Sequence, residues 1–161
     1  MREISKNKKA LQIILESHKH WLNKDCDGWE NMRADLEGVN LQGVNLRGAN
    51  LRGANLNFAN LHNVNLKFAN LQEADMHGTN LICANMQGAN LNFANLHNAN
   101  LTVANLRRAN LQNANLQGAD LIWANLQEAD MQGAYLRGAY LQGANLILAN
   151  LRGAYLKGVF K

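Results

Sequence analysis

The chain of 161 residues contains no proline, so none of its turns is set by a ring-locked φ. It has two cysteines, Cys26 and Cys83, too few for a disulfide framework. Their expected separation along the fold, roughly 10 Å, is also too long for a bridge. The only serines are Ser5 and Ser17 and the only threonines Thr79 and Thr102, and no nucleophile–base constellation can be assembled from them. No run of 18 apolar residues occurs, which excludes an ordinary membrane-spanning helix. Charge of either sign is sparse. Six Lys/Arg and five Asp/Glu in residues 1–32 leave +1, and ten and seven in residues 33–161 leave +3. Such a mild balance points to no particular partner. The opening MREISKNKKALQIILE is basic, but its apolar stretch is short and broken by charge, a poor signal peptide. A cytoplasmic location is expected.

What is present is a repeat. From Leu36 to Leu156 every fifth residue is Leu or Met, 25 in succession, with Met only at Met76, Met86 and Met131. A period of five is neither helical (3.6) nor that of a flat strand (2), so a repeat architecture is required. The residue two before each Leu or Met is Ala, except Val39, Val44, Val64 and Thr79, and Val159 holds the same phase before Lys161. Two positions apart on extended chain, this small residue and the Leu point to the same side. The intervening residue is Asn or Asp except at Tyr135, Tyr140, Tyr155 and Phe160. It points outward, and its side chain suits a backbone that must turn every five residues. The two residues after Leu form the corner. Twelve of the thirteen glycines hold its second position, where a type II turn needs positive φ. Phe58, Phe68 and Phe93 occupy the same position, and another turn type is expected there.

The tract GANLRGANLNFANL (48–61) resembles the pentapeptide-repeat proteins, and the resemblance extends from Ala34 to about Val159. It implies an all-β solenoid, a right-handed quadrilateral β-helix with four pentapeptides per coil, hence about six coils here. Residues twenty apart then stack, and Leu36, Leu56, Met76, Leu96, Leu116, Leu136 and Leu156 form one core ladder. A narrow stack of this kind gains stability coil by coil.

Two segments flank or end the stack. Residues 5–23 read as one helix, with Ser5 as N-cap and Ala10, Leu11, Ile14, Leu15, His18, Trp21 and Leu22 on one stripe. The division is therefore a helical cap over 1–32 and a β-helix over 33–161, the cap hiding a coil edge that would otherwise invite aggregation. The other end carries Tyr135, Tyr140, Tyr155 and Phe160. They are read as a homodimer contact between C-terminal coils, or as aromatics that stiffen the last turns.

Chemistry is hard to place. Asp35, Glu37, Glu73, Asp75, Asp120, Glu128 and Asp130 are scattered, and a Leu/Ala-filled interior leaves no cleft of the kind catalysis uses. A non-enzyme without cofactor or metal is expected. His77 and His97 should share a corner as polar surface residues, with no third ligand in register. Arg47, Lys67 and Arg107, with Arg108 beside them, make a modest basic stripe without interleaved aromatics, so nucleic acid is an unlikely partner. The unusual exterior is Ile82–Cys83, Thr102–Val103 and Ile122–Trp123, three stacked apolar pairs, with Ile147–Leu148 on the next side. The strip is read as a protein-interaction site or as a stabilising ladder.

The expected function is a non-enzymatic scaffold for a protein partner. The family resemblance also implies a DNA mimic that protects DNA gyrase, but that role goes with a strongly acidic rod, and this one is weakly basic. A purely structural ordered surface is the third reading. Two near-identical tracts, 53–66 and 88–101, are offset by 35 residues and so fall on different sides of the rod, which favours a general scaffold.

Overall fold

A computed structural model of the chain describes residues 8–160. Helix α1 spans Lys8–Asn23, so the expected start at residue 5 and the Ser5 cap lie outside the described residues. A short 3-10 turn, Trp29–Asn31, leads into the repeat. From there the backbone pairs with itself in one register. Parallel bridges join Asp35 to Asn55, Asn40 to Asn60 and so on to Tyr140 and Phe160, always twenty residues apart. A coil is therefore four pentapeptides. These are isolated bridges rather than extended strands, because a corner interrupts the chain before a second residue can pair.

Each unit repeats the same bonds. Leu36 N–H donates to Asn55 C=O at 2.7 Å, Gly38 N–H to Asn57 C=O at 2.8 Å, and Asn55 N–H returns to Ala34 C=O at 2.9 Å. Val39 N–H donates to Leu36 C=O at 3.1 Å and closes the corner as a β-turn. The second corner residue is left-handed at every unit. Gly38 has φ 61°, but so do Phe58 (55°), Phe68 (61°) and Phe93 (57°). The expectation of a different turn at the phenylalanines is thus wrong. One set of inter-coil bonds imposes one backbone, and the side chain must accept it.

The outward Asn does two jobs. Its Oδ1 accepts the N–H two residues on, as Asn40 does from Gln42 at 3.1 Å, an Asx turn. Its Nδ2 donates to the residue one coil towards the N-terminus: Asn60 to Asn40 and Asn80 to Asn60, both at 3.2 Å. Aspartate has no such donor, yet it can accept, as Asp35, Asp75 and Asp130 do from Asn55, Asn95 and Asn150 at 2.9 Å. A ladder that passes donors in one direction therefore favours Asn over Asp, which keeps this rod from being acidic.

The core is the Leu and Ala stack. Leu36, Leu56, Met76, Leu96, Leu116 and Leu136 are fully buried, each contributing about 1.5–3 kcal/mol by burial. Thr79 sits among them with its hydroxyl donating to Met76 C=O at 2.7 Å, so its polarity is satisfied. Leu156, expected as the last member of the ladder, is instead 43% exposed.

The first coil is covered. Leu36, Leu41 and Leu51 are fully buried, and Leu11, Ile14 and Leu15 of α1 pack with the core. Of the expected stripe, Leu11 and His18 are buried and Ala10, Ile14, Leu15, Trp21 and Leu22 half-buried. The Trp21 ring stacks on His18 and lies over Gly53, where an added Cβ would come within 3.0 Å of it. Arg33 Nε donates to the Gly53 carbonyl. His18 Nδ1 accepts the Ala34 N–H at 3.1 Å. Burial holds this imidazole below its ordinary pKa, the Arg52 carbonyl opposes that and the Arg33 charge adds to it, which suits a neutral acceptor.

Candidate interaction surface

The corner bonds carry the apolar strip. Cys83 N–H donates to Thr102 C=O, Val103 N–H to Ile122 C=O and Trp123 N–H to Gln142 C=O, at 3.1, 2.9 and 2.9 Å. Ile82–Cys83, Thr102–Val103 and Ile122–Trp123 are thereby stacked on successive coils. The second residue of each pair projects most. Val103 is 52% exposed and Trp123 67%, and Cys83 is an exposed free thiol. Ile82, Thr102 and Ile122 are half-buried. The Thr102 hydroxyl turns back on Asn100 Oδ1 at 2.7 Å, a bond that satisfies it within its own coil. On the adjoining side Ile147 and Leu148 are 62% and 79% exposed.

The Trp123 indole bends across the next coil, where an added Cβ on Gly143 would fall 2.2 Å from its ring. Phe58 and Phe68 cover Gly78 and Gly88 in the same way. Three corner aromatics thus pair with a glycine one coil on, a relation that a search at offset twenty in the sequence would have found, whereas Phe93 is followed at that offset by Asn113.

The C-terminal aromatics form two stacks. Tyr135 and Tyr155 have ring centroids 4.7 Å apart and Tyr140 and Phe160 4.8 Å. All four are exposed. Among the described residues, the N–H groups of Leu146, Leu151 and Leu156 have no inter-coil acceptor.

His77 and His97 do share a corner, with rings stacked and Nδ1 atoms 3.1 Å apart, and the Phe58 edge meets His77. Both are half-buried rather than freely exposed. The basic stripe is partly neutralised. Glu128 accepts from Arg107 at 2.9 Å and from Arg108, and those bonds, Arg107's first, hold its carboxyl below the ordinary glutamate range. Arg47 and Lys67 lie over the Phe68 ring, at 5.8 and 5.0 Å from its centroid, so the stripe does hold one aromatic between its cations, contrary to expectation.

A model of pentapeptide repeats matches residues 32–67, 59–92, 89–127, 104–143 and 119–158, with eight copies. The chain belongs to the pentapeptide repeat family. This pentapeptide repeat protein is similar to HetL of Nostoc sp. strain PCC 7120, a protein involved in heterocyst differentiation regulation. The two share 34% identity over 79% of this chain and 70% of HetL, with a TM-score of 0.56. Rfr23 of the cyanobacterium Cyanothece 51142 is 33% identical over 78% of this chain and 90% of its own, at a TM-score of 0.40. QnrB1, a plasmid-mediated fluoroquinolone resistance protein, is 19% identical over 78% of this chain and 81% of its own, at a TM-score of 0.50. At that identity it shares the fold alone. No curated protein matches the chain. No helix among the described residues is long and apolar enough to cross a membrane.

Proposed function

We propose that this pentapeptide repeat protein is a non-enzymatic scaffold, a right-handed quadrilateral β-helix that binds a protein partner through the strip centred on Val103 and Trp123. One observation carries the reading. Val103 has φ 59° and is 52% exposed. A β-branched residue in the left-handed region is disfavoured by roughly 1–2 kcal/mol. The same corner column takes Gly43, Asn63 and Gly143 elsewhere, residues that tolerate that backbone. A stabilising ladder would use those. An apolar side chain kept there at a cost to stability fits a contact with another molecule, beside a Trp of the kind that dominates interfaces. The involvement of HetL in heterocyst differentiation regulation supports a binding rather than a catalytic part. A cytoplasmic setting belongs to the same reading, supported by the free thiols of Cys26 and Cys83.

The test is affinity capture from the native cell with the wild-type chain and with a Val103→Asn/Trp123→Asn variant. A protein retained by the first and lost from the second is the expected result. An identical set on both variants would remove the strip from the interaction.

A second contact is supported by Leu156, Tyr155 and Phe160, 43%, 57% and 49% exposed at the last coil. Two copies joined two-fold at this edge would close it without starting a filament. Sedimentation of the 161-residue chain should show a dimer that Tyr155→Asp/Phe160→Asp converts to monomer. A wild-type monomer at high micromolar concentration would disprove the contact.

A further inference from the structure

The connection between α1 and the first coil gathers metal-ligating side chains that neither the strip nor the core uses. Lys24 turns left-handed after the helix, at φ 55°, with its N–H on the His20 carbonyl at 2.8 Å, a common helix stop. The following residues thereby fold back on the last turn of α1. His20 Nδ1 lies 2.8 Å from Asp25 Oδ1. The ligand atoms of His20, Asp25 and Cys26 all fall within 4.8 Å of one another. Asn23 Nδ2 donates to the other Asp25 oxygen at 3.1 Å and orients the carboxylate. Cys26 is a free, half-buried thiol whose Sγ lies 3.7 Å from Met32 Sδ.

One imidazole nitrogen, one carboxylate oxygen and one thiol sulfur make a borderline-soft set. Calcium and magnesium ask for oxygen ligands throughout. Zinc takes this mixture, at about 2.0–2.3 Å from each atom. Tetrahedral geometry then puts ligand atoms about 3.3–3.8 Å apart, so His20 and Asp25 must open slightly and the sulfur close in. Both His20 and Asp25 side chains are near half exposure, 49% and 44%, and are free to make that adjustment.

We propose that His20, Asp25 and Cys26 bind one zinc ion, the fourth position going to water. On binding, the Cys26 S–H bond breaks, its proton leaves to solvent, and the thiolate sulfur bonds the metal. His20 Nδ1 gives up the hydrogen that it shares with Asp25, the ring keeping one proton on Nε2, and its freed lone pair bonds the metal, while Asp25 turns the same carboxylate to the ion. His20 belongs to α1 and Cys26 to the segment that enters the β-helix. The ion clips the segment that follows α1 onto the last turn of the helix.

The test is calorimetric titration of the chelator-treated full chain with zinc, together with absorption of its cobalt-loaded form. One ion per chain is expected, with a thiolate-to-cobalt charge-transfer band. Cys26→Ser should abolish the band, His20→Ala should abolish tight binding, and Asn23→Ala, which touches only the carboxylate, should weaken binding about tenfold. A His77→Gln/His97→Gln variant should bind as the wild type does. Hydrogen exchange in α1 should slow when zinc is added. These side chains are near the surface, and circular dichroism will show whether each variant is folded. Absence of saturable binding overturns the proposal. So does a charge-transfer band that survives in folded Cys26→Ser, or binding that is lost with His77 and His97. Zinc that binds without protecting α1 overturns its role as a brace.

Discussion

His18 Nδ1 accepts the backbone N–H of Ala34 at 3.1 Å, a bond that joins the cap helix to the first coil. The imidazole is completely buried, so no water can replace it. His18→Ala should lower stability by about 1–3 kcal/mol, the cost of leaving a buried donor unsatisfied, and should add a cavity beside Trp21. Hydrogen exchange of the Ala34 amide should rise far more than that of Ala94, mid-rod. Equal protection of Ala34 in both proteins would show that the bond does not hold the cap.

Gly143 and Gly138 are a matched pair for separating strain from contact. Both are left-handed, at φ 67° and 70°. An added Cβ meets Trp123 at 2.2 Å in the first and nothing within 4 Å in the second. Gly138→Ala should cost about 1 kcal/mol from backbone alone. Gly143→Ala should cost more, because the indole must also leave its place. Urea unfolding of the two variants would measure the difference, and a smaller cost at Gly143 would mean that the indole does not rest there.

Val103→Asn should raise the thermal midpoint while weakening any partner held by the strip. Asn tolerates the left-handed corner that Val resists, and the expected gain is roughly 1 kcal/mol. Calorimetry of the isolated chain would test this. A lower midpoint would mean that Val103 stabilises the ladder, which would remove the argument for an interface.

Glu128 accepts hydrogen bonds from Arg107 and Arg108, and its folded pKa is depressed. A depressed carboxylate contributes stability above its unfolded value, about 4.3, and loses it as pH falls through the folded value. Glu128→Gln should therefore melt below the wild type near neutrality and approach it in acid. Thermal melts across that range decide the point, and parallel curves would exclude a net contribution from the pair.

Added to a supercoiling reaction of DNA gyrase inhibited by a fluoroquinolone, the chain should give no rescue. The Asn ladder donates Nδ2 hydrogens where a DNA mimic needs carboxylates, and residues 33–161 carry ten Lys/Arg against seven Asp/Glu. Rescue at stoichiometric protein would show that charge is a poor guide on this fold.

The five-residue period determined the unit, its inward Leu and Ala, its outward Asn and its glycine corner, because side-chain direction along a repeating backbone is a local property. The 3–4 spacing of the stripe from Leu11 to Trp21 likewise located the helix. Tertiary structure alone decided the rest. Phe58, Phe68 and Phe93 are left-handed because inter-coil bonds, not their own preference, set the corner. Leu156 is exposed although it matches Leu136 in the repeat, because burial depends on what lies above it. His18 looked like one more residue of an amphipathic stripe. Its place opposite Ala34, and the convergence of His20, Asp25 and Cys26, arise only when the helix folds back on the coil. Such contacts depend on a direction of approach that no periodicity records.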